Sequence, residues 1–155
     1  MNIMRDDDIK LTVKSDLRIL DLGKRLYKKH GHENHKIQYI SQKLRELARL
    51  LLNCKSLTTD IKSNDDVTKS KNWNHLIKSV KTVSGYDEET HSYSSPSLAL
   101  KIGHSLQKCE KYLRAEVIKE SNTVKVEEAG MFLTLHDTEW NSDIYTPLRL
   151  LNRIS

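Results

Sequence analysis

A row of amide and guanidinium side chains is the first feature of this sequence with the chemistry to bind a ligand. Gln38, Gln42, Arg45 and Arg49 follow one another at intervals of three and four residues, so on a helix they share one direction. The planar Arg group binds phosphate, and a Gln amide both donates and accepts hydrogen bonds at a base edge. This spacing predicts a surface that contacts nucleic acid.

Two further basic rows lie before and after this one. The first holds three cations between residues 24 and 28, and the second has cations or imidazoles at positions 101, 104, 108 and 111. Because amphipathic helices generally carry charged residues on their solvent side, an ordinary solvated surface is the alternative interpretation. The complete set of predicted DNA-binding residues is Lys24, Arg25, Lys28, Gln38, Gln42, Arg45, Arg49, Lys101 and Lys108.

The basic charge is concentrated in the first third of the chain. The 155 residues carry a net charge of +5. Residues 9–55 contain 12 Lys and Arg against 4 Asp and Glu, whereas residues 56–155 contain 13 against 14. A basic segment of this kind favours a polyanionic partner.

A histidine cluster lies just before the first row. His30, His32 and His35 are close enough in the chain to share a metal ion, and zinc accepts imidazole ligands. No cysteine lies nearby and the spacing matches no HExxH motif. We therefore expect these residues to cap two helices or contact phosphate. Cys54 and Cys109 fall on apolar helix faces and are predicted to be free core thiols.

The acidic residues form no specific catalytic arrangement. Asp87, Glu88 and Glu89 share a loop, and Glu127 and Glu128 open a predicted helix, where carboxylates are favoured by the helix dipole. The chain contains no Gly-rich phosphate loop and no GxSxG motif. We predict a protein that is not an enzyme and that holds no metal and no cofactor.

The candidate residues fall on a succession of predicted helices. Apolar side chains recur every three to four positions, and the chain has only five Gly and two Pro, which argues against an all-β fold with many tight turns. Asp16 and Asn34 are predicted N-caps, and Ser95 followed by Pro96 is a typical helix start. Gly31 and Gly85 are predicted helix ends. The predicted helices span residues 6–13, 16–30, 34–54, 73–83, 95–121 and 124–140.

These helices predict an all-α fold, a single compact bundle of about five to six helices. Residues 1–8 are predicted to form an N-terminal tail, and residues 9–155 one helical domain with a polar connector at 56–72. A loop is expected over residues 86–95. A last helical turn is expected from Thr146, with Leu148, Leu150 and Leu151 as an apolar segment for self-association.

Several strings together resemble a family. They are LRILDLGKRLYKKHGHE (residues 17–33), QYISQKLRELARLLL (38–52), VSGYDEETHSYSSPSLALKIGHSLQKC (83–109) and FLTLHDTEWN (132–141). Their order and spacing resemble uncharacterised animal proteins derived from mobile elements, in which this region precedes a segment similar to the catalytic domain of tyrosine recombinases. The resemblance covers residues 6–151 and implies the fold of a recombinase core-binding domain.

This resemblance implies a DNA clamp that lacks the catalytic part. The family's catalytic domain carries an Arg, a His-x-x-Arg pair and a Tyr nucleophile. His104 and His136 are not followed by Arg at that spacing, and Tyr145 has no such partners. The implied function is non-catalytic binding of duplex DNA, mainly through phosphate contacts.

Two other functions remain open from the sequence. One is a helical protein–protein interaction module, and the other is a non-functional remnant of a mobile element. No apolar run approaches the roughly 18 residues of a membrane span, and the acidic start does not fit a signal peptide. We therefore expect an intracellular protein with no membrane partner, and its basic charge favours the nucleus.

Overall fold

A computed structural model of the chain describes residues 5–145. Of these residues, 80% are helical, in seven α-helices and one 3-10 turn, and the sheet is a single two-stranded hairpin. The all-α prediction is confirmed. Within the same residues, no helix combines the length and apolar composition needed to cross a membrane. The elements are α1 (Asp6–Ser15), α2 (Leu17–His30), α3 (Asn34–Leu57), α4 (Asn64–Val67), a 3-10 turn (Ser70–Asn72), α5 (Trp73–Val83), β1 (Tyr86–Asp87), β2 (Ser92–Tyr93), α6 (Pro96–Lys119) and α7 (Thr123–Tyr145).

Helix α3 is the central element of the bundle. It packs against α1, α2, α5 and α6, and Leu47, Leu50 and Leu51 on it are buried. Because neighbours cover it from several directions, even the charged Lys43 and Glu46 are buried. The apolar side chains that recur every three to four positions along α3 are mostly buried, although Ile37 near its start is 45% exposed.

Helices α6 and α7 form an antiparallel pair joined by residues 120–122. Gly103 of α6 faces Trp140 of α7, while Arg114 further along α6 lies beside Gly130 earlier in α7. A methyl group added at Gly103 would lie 2.8 Å from the Trp140 ring. The absent side chain is therefore what allows the two helices to approach this closely.

The start of α2 is set by Asp16, as the sequence predicts. Its Oδ1 accepts hydrogen bonds from the amides of Arg18 and Ile19, both at 3.0 Å. Its Oδ2 accepts from the Asn64 amide at 2.9 Å, which ties α2 to the start of α4. The Asn34 cap prediction is wrong, because Asn34 is already the first helical residue and no side chain caps α3.

The polar connector is more ordered than its composition indicates. Residues 56–72 include the end of α3, all of α4 and the 3-10 turn, and Ile61, Val67 and Asn72 within them are buried. Helices this short give no repeating apolar pattern, so periodicity does not reveal them.

The predicted loop after α5 contains a small hairpin. Gly85 ends α5 with a φ of +69°, as expected of a glycine at a helix end. Tyr86 then pairs with Tyr93 across the two strands. The helical turn predicted from Thr146 lies outside the described residues.

Candidate nucleic-acid interface

The outward face of α6 carries a row of cationic side chains. Lys101, His104, Lys108 and Lys111 are all exposed. None of the four forms an ion pair with a carboxylate in residues 5–145. The charges of the three lysines are therefore available to a partner from solution.

The packing of α6 determines which of its charges face outward. Ile102, Leu106 and Cys109 are buried and direct the opposite side of the helix toward solvent. Of the two acids between residues 101 and 119, Glu110 is buried and Glu116 is paired with Arg18 and Arg25. The outward face of α6 consequently has no free carboxylate of its own.

The α6 row extends further than the sequence analysis predicted. Arg114 and Lys119 are also exposed and lie three and eight residues beyond Lys111. Lys119 follows Lys108 by eleven residues and therefore lies on the same side of α6, so the periodicity that identified the row contains the signal for Lys119. Arg114 lies toward α7, beside Gly130.

Helix α2 presents exposed lysines, whereas its Arg25 is engaged within the protein. Lys24 and Lys28 are exposed and without an ion pair in the described residues. Arg25 instead binds Asp21 at 3.0 Å and Glu116 at 3.1 Å, with its guanidinium 4.6 Å from the centre of the Tyr112 ring. It therefore fastens α2 to α6.

The charge state of Arg25 reflects these contacts. Burial lowers the pKa of the guanidinium, but the hydrogen bonds to Asp21 and Glu116 raise it by more. The net effect is a pKa above the ordinary value. Arg25 is thus permanently charged and committed to a bridge within the protein.

The α3 row, which consists of Gln38, Gln42, Arg45 and Arg49, is only partly accessible to a partner from solution. Arg45 forms an ion pair with Asp6 of α1, and the hydrogen bond from Arg45 is the largest cause of the lowered pKa of Asp6. Arg49 is half-buried, whereas Gln38 and Gln42 are exposed. Arg45 lies on the side of α3 that packs against α1, so its charge is paired with Asp6 within the protein.

The histidine cluster is organised around a carboxylate. Ring nitrogens of His30, His32 and His35 lie 3.9, 3.7 and 3.8 Å from oxygens of Glu33. In the described part of the chain, no set of three or more His, Cys, Asp or Glu is arranged to hold a metal ion. The turn between α2 and α3 therefore groups three imidazoles around one carboxylate.

Both cysteines are buried core residues, as predicted. Burial raises the pKa of the Cys54 thiol to about 11 and that of Cys109 to about 12. Because the thiolate is the reactive form, neither side chain is poised as a nucleophile at neutral pH.

Comparisons with protein-family models, with curated proteins and with solved structures give no match to this chain.

Proposed function

We propose that this protein is a non-catalytic DNA-binding module that contacts duplex DNA through the outward face of α6. The observation that carries the proposal is the run of exposed and unpaired cations from Lys101 to Lys111, with Arg114 and Lys119 beyond it. Because the acids of α6 itself are buried or paired, its row is predominantly positive, with Asp137 of α7 beside His104. A face of this kind attracts a polyanion.

The dimensions of the row suit a phosphate backbone. Ten residues of helix separate Lys101 from Lys111, a rise of about 15 Å. A DNA duplex presents roughly nine negative charges over the same length, since one charge occurs about every 1.7 Å along its axis. Several lysines can therefore each meet a phosphate without any distortion of the helix.

Helix α2 supplies the second part of the proposed surface. It packs against α6, and its Lys24 and Lys28 are exposed. Gln38 and Gln42 on α3 are the candidates for contacts with base edges, because phosphate contacts set register while only base contacts read sequence. We therefore expect the affinity for duplex DNA to depend strongly on salt concentration and weakly on DNA sequence.

The resemblance to the core-binding region of tyrosine recombinases agrees with this proposal. In that family the helical domain clamps DNA opposite the catalytic domain. The proposed role here is the clamp alone, and a nuclear location belongs to the same proposal. DNA binding, as proposed, requires the exposed lysines of α6.

The test is a fluorescence-anisotropy titration with a labelled duplex of about 25 base pairs at several salt concentrations from about 50 to 200 mM. The double variant Lys101→Ala/Lys108→Ala should bind more weakly. Its plot of log K against log salt should be shallower by about 2, because each lost phosphate contact removes about 0.9 from the slope. Circular dichroism checks that the variant remains helical.

A matched control removes the same charge elsewhere. Lys71→Ala/Lys78→Ala takes two exposed lysines from the 3-10 turn and from α5 and should leave the slope unchanged. Equal losses in both double variants would refute the placement on α6. Absence of binding by the folded chain at the lowest salt would refute DNA binding itself.

A protein–protein interaction module is the second candidate function. An open apolar groove of about 740 Å³ between the 3-10 turn and α7 is the observation that favours it, with Met131 51% exposed and Leu135 beside it. Excess duplex DNA should not displace a protein bound there. Displacement would assign the interaction to the basic surface instead.

A further inference from the structure

A second cationic site lies away from the α6 row. A cleft of about 470 Å³ is bordered by the end of α1, the start of α2, the end of α3 and the start of α7. Four cations line it: Arg18, Lys55, Lys62 and Lys125. They come from four separate parts of the chain, so no spacing in the sequence indicates that they meet.

The lysines of this cleft are free to bind. Lys55, Lys62 and Lys125 are exposed, and none is ion-paired within residues 5–145. Arg18 is held at the wall by Glu116, whose Oε2 lies 3.3 Å from its Nη1. The cleft thus combines one fixed guanidinium with three ammonium groups that can move onto a ligand.

The acids of the cleft do not cancel this charge. Both carboxylate oxygens of Asp16 accept backbone N–H groups, three in total. Asp65 is the other acid at the wall. Because Arg18 is paired with Glu116, the net positive charge of the site comes from three lysines against Asp16 and Asp65, and Leu17 and Leu51 supply an apolar part of its lining.

A smaller cavity of about 110 Å³ adjoins the cleft and shares Arg18, Asp65 and Lys125 with it. The buried side chain of Glu110 lines this cavity. Burial is the largest cause that raises the pKa of its carboxyl to about 7, so near neutral pH a fraction of this group is an O–H donor. A protonated Glu110 carboxyl can donate a hydrogen bond to a phosphoryl oxygen, although the carboxylate of Glu128 also lines this cavity.

We propose that this cleft binds a small phosphorylated molecule with at least two phosphate charges. The convergence of Arg18, Lys55, Lys62 and Lys125 in a cavity of small-molecule size is the basis of the proposal. Arg and Lys are the side chains that proteins use for phosphate recognition. The site shares no lining residue with the predicted DNA-binding residues of α2, α3 and α6, so it goes beyond the proposed function and does not depend on it.

The test uses inorganic pyrophosphate as the probe and isothermal titration calorimetry as the assay. The unmodified chain should bind one pyrophosphate saturably, with sodium chloride at equal ionic strength in the reference. Lys62→Ala/Lys125→Ala should weaken binding at least tenfold. Lys101→Ala/Lys108→Ala, which removes the same charge from α6, should leave pyrophosphate affinity unchanged.

A second arm separates a free phosphorylated molecule from the phosphates of DNA. The affinity of Lys62→Ala/Lys125→Ala for the labelled duplex should equal that of the unmodified chain. If this variant loses duplex affinity but retains pyrophosphate binding, the cleft belongs to a DNA surface and the proposal is overturned. No pyrophosphate binding at millimolar concentration, or equal weakening in both double variants, would also overturn it.

Discussion

Replacement of Glu110 by glutamine tests how strongly the interior opposes a charge. The Glu110 side chain lies on the inner face of α6 and is 5% exposed. Burial raises the pKa of its carboxyl from 4.5 to about 7, with the charge of Asp65 in the same direction and a hydrogen bond from Thr68 opposing them. The folded protein therefore holds this proton more tightly than the unfolded chain does.

The magnitude follows from the shift in pKa. A change from 4.5 to about 7 corresponds to about 3 kcal/mol at about 1.4 kcal/mol per unit. For an acid whose folded pKa is raised, the free energy of unfolding declines between the two pKa values as pH rises, and it is constant above the upper one. Glutamine stays neutral at every pH and keeps an oxygen for Thr68.

Urea denaturation followed by circular dichroism measures the expected difference. Near pH 4.5 the unmodified chain and Glu110→Gln should have similar stability. Near pH 8.5 the variant should be more stable by about 3 kcal/mol. All other titrating groups are present in both proteins, so their contributions cancel in this comparison.

Glu116, six residues further along α6, supplies a control of opposite sign. Burial raises the pKa of its carboxyl, but hydrogen bonds from Arg25 and Arg18 lower it by more, and the net shift is downward. Glu116→Gln should therefore destabilise the protein at neutral pH, with the loss shrinking as pH falls through the acidic range. A stability difference for Glu110→Gln that does not change with pH would refute the reasoning about burial.

The remaining predictions concern helix packing and capping, and each is measured by thermal and urea unfolding. Gly103→Ala should destabilise the protein by about 1–3 kcal/mol, because its methyl group meets Trp140; unchanged stability would contradict this contact. At Gly130 on α7 an added methyl group would meet only Arg114, at an ordinary contact distance of 3.9 Å, so Gly130→Ala should raise the free energy of unfolding by up to about 1 kcal/mol. Asp16→Ala should lower the free energy of unfolding by about 2–3 kcal/mol, since it removes the α2 cap and leaves the Asn64 amide without its acceptor. A decrease below about 0.5 kcal/mol would contradict that role.

Helix identity could be predicted because its signals are local. Asp16 begins α2 and Gly85 ends α5 as predicted, since a cap or a left-handed residue acts within a single turn. The Asn34 cap prediction failed because Asn34 is already helical, with Glu33 at the N-cap position and no side chain bonded to the start of α3. Short elements such as α4 were missed because four residues carry no measurable period.

Which residues of the candidate sites are free to bind a partner depended on contacts between residues distant in the chain. The sequence pattern alone identified cations at helical spacing on α2, α3 and α6, since spacing is a property of each helix by itself. Only the tertiary structure decided which cations are free: Arg45 meets Asp6 from 39 residues away, and Arg25 meets Glu116 from 91 residues away. The cleft of Arg18 and Lys125 likewise exists only after folding, because charges distant in the chain become neighbours when the apolar faces of different helices pack together.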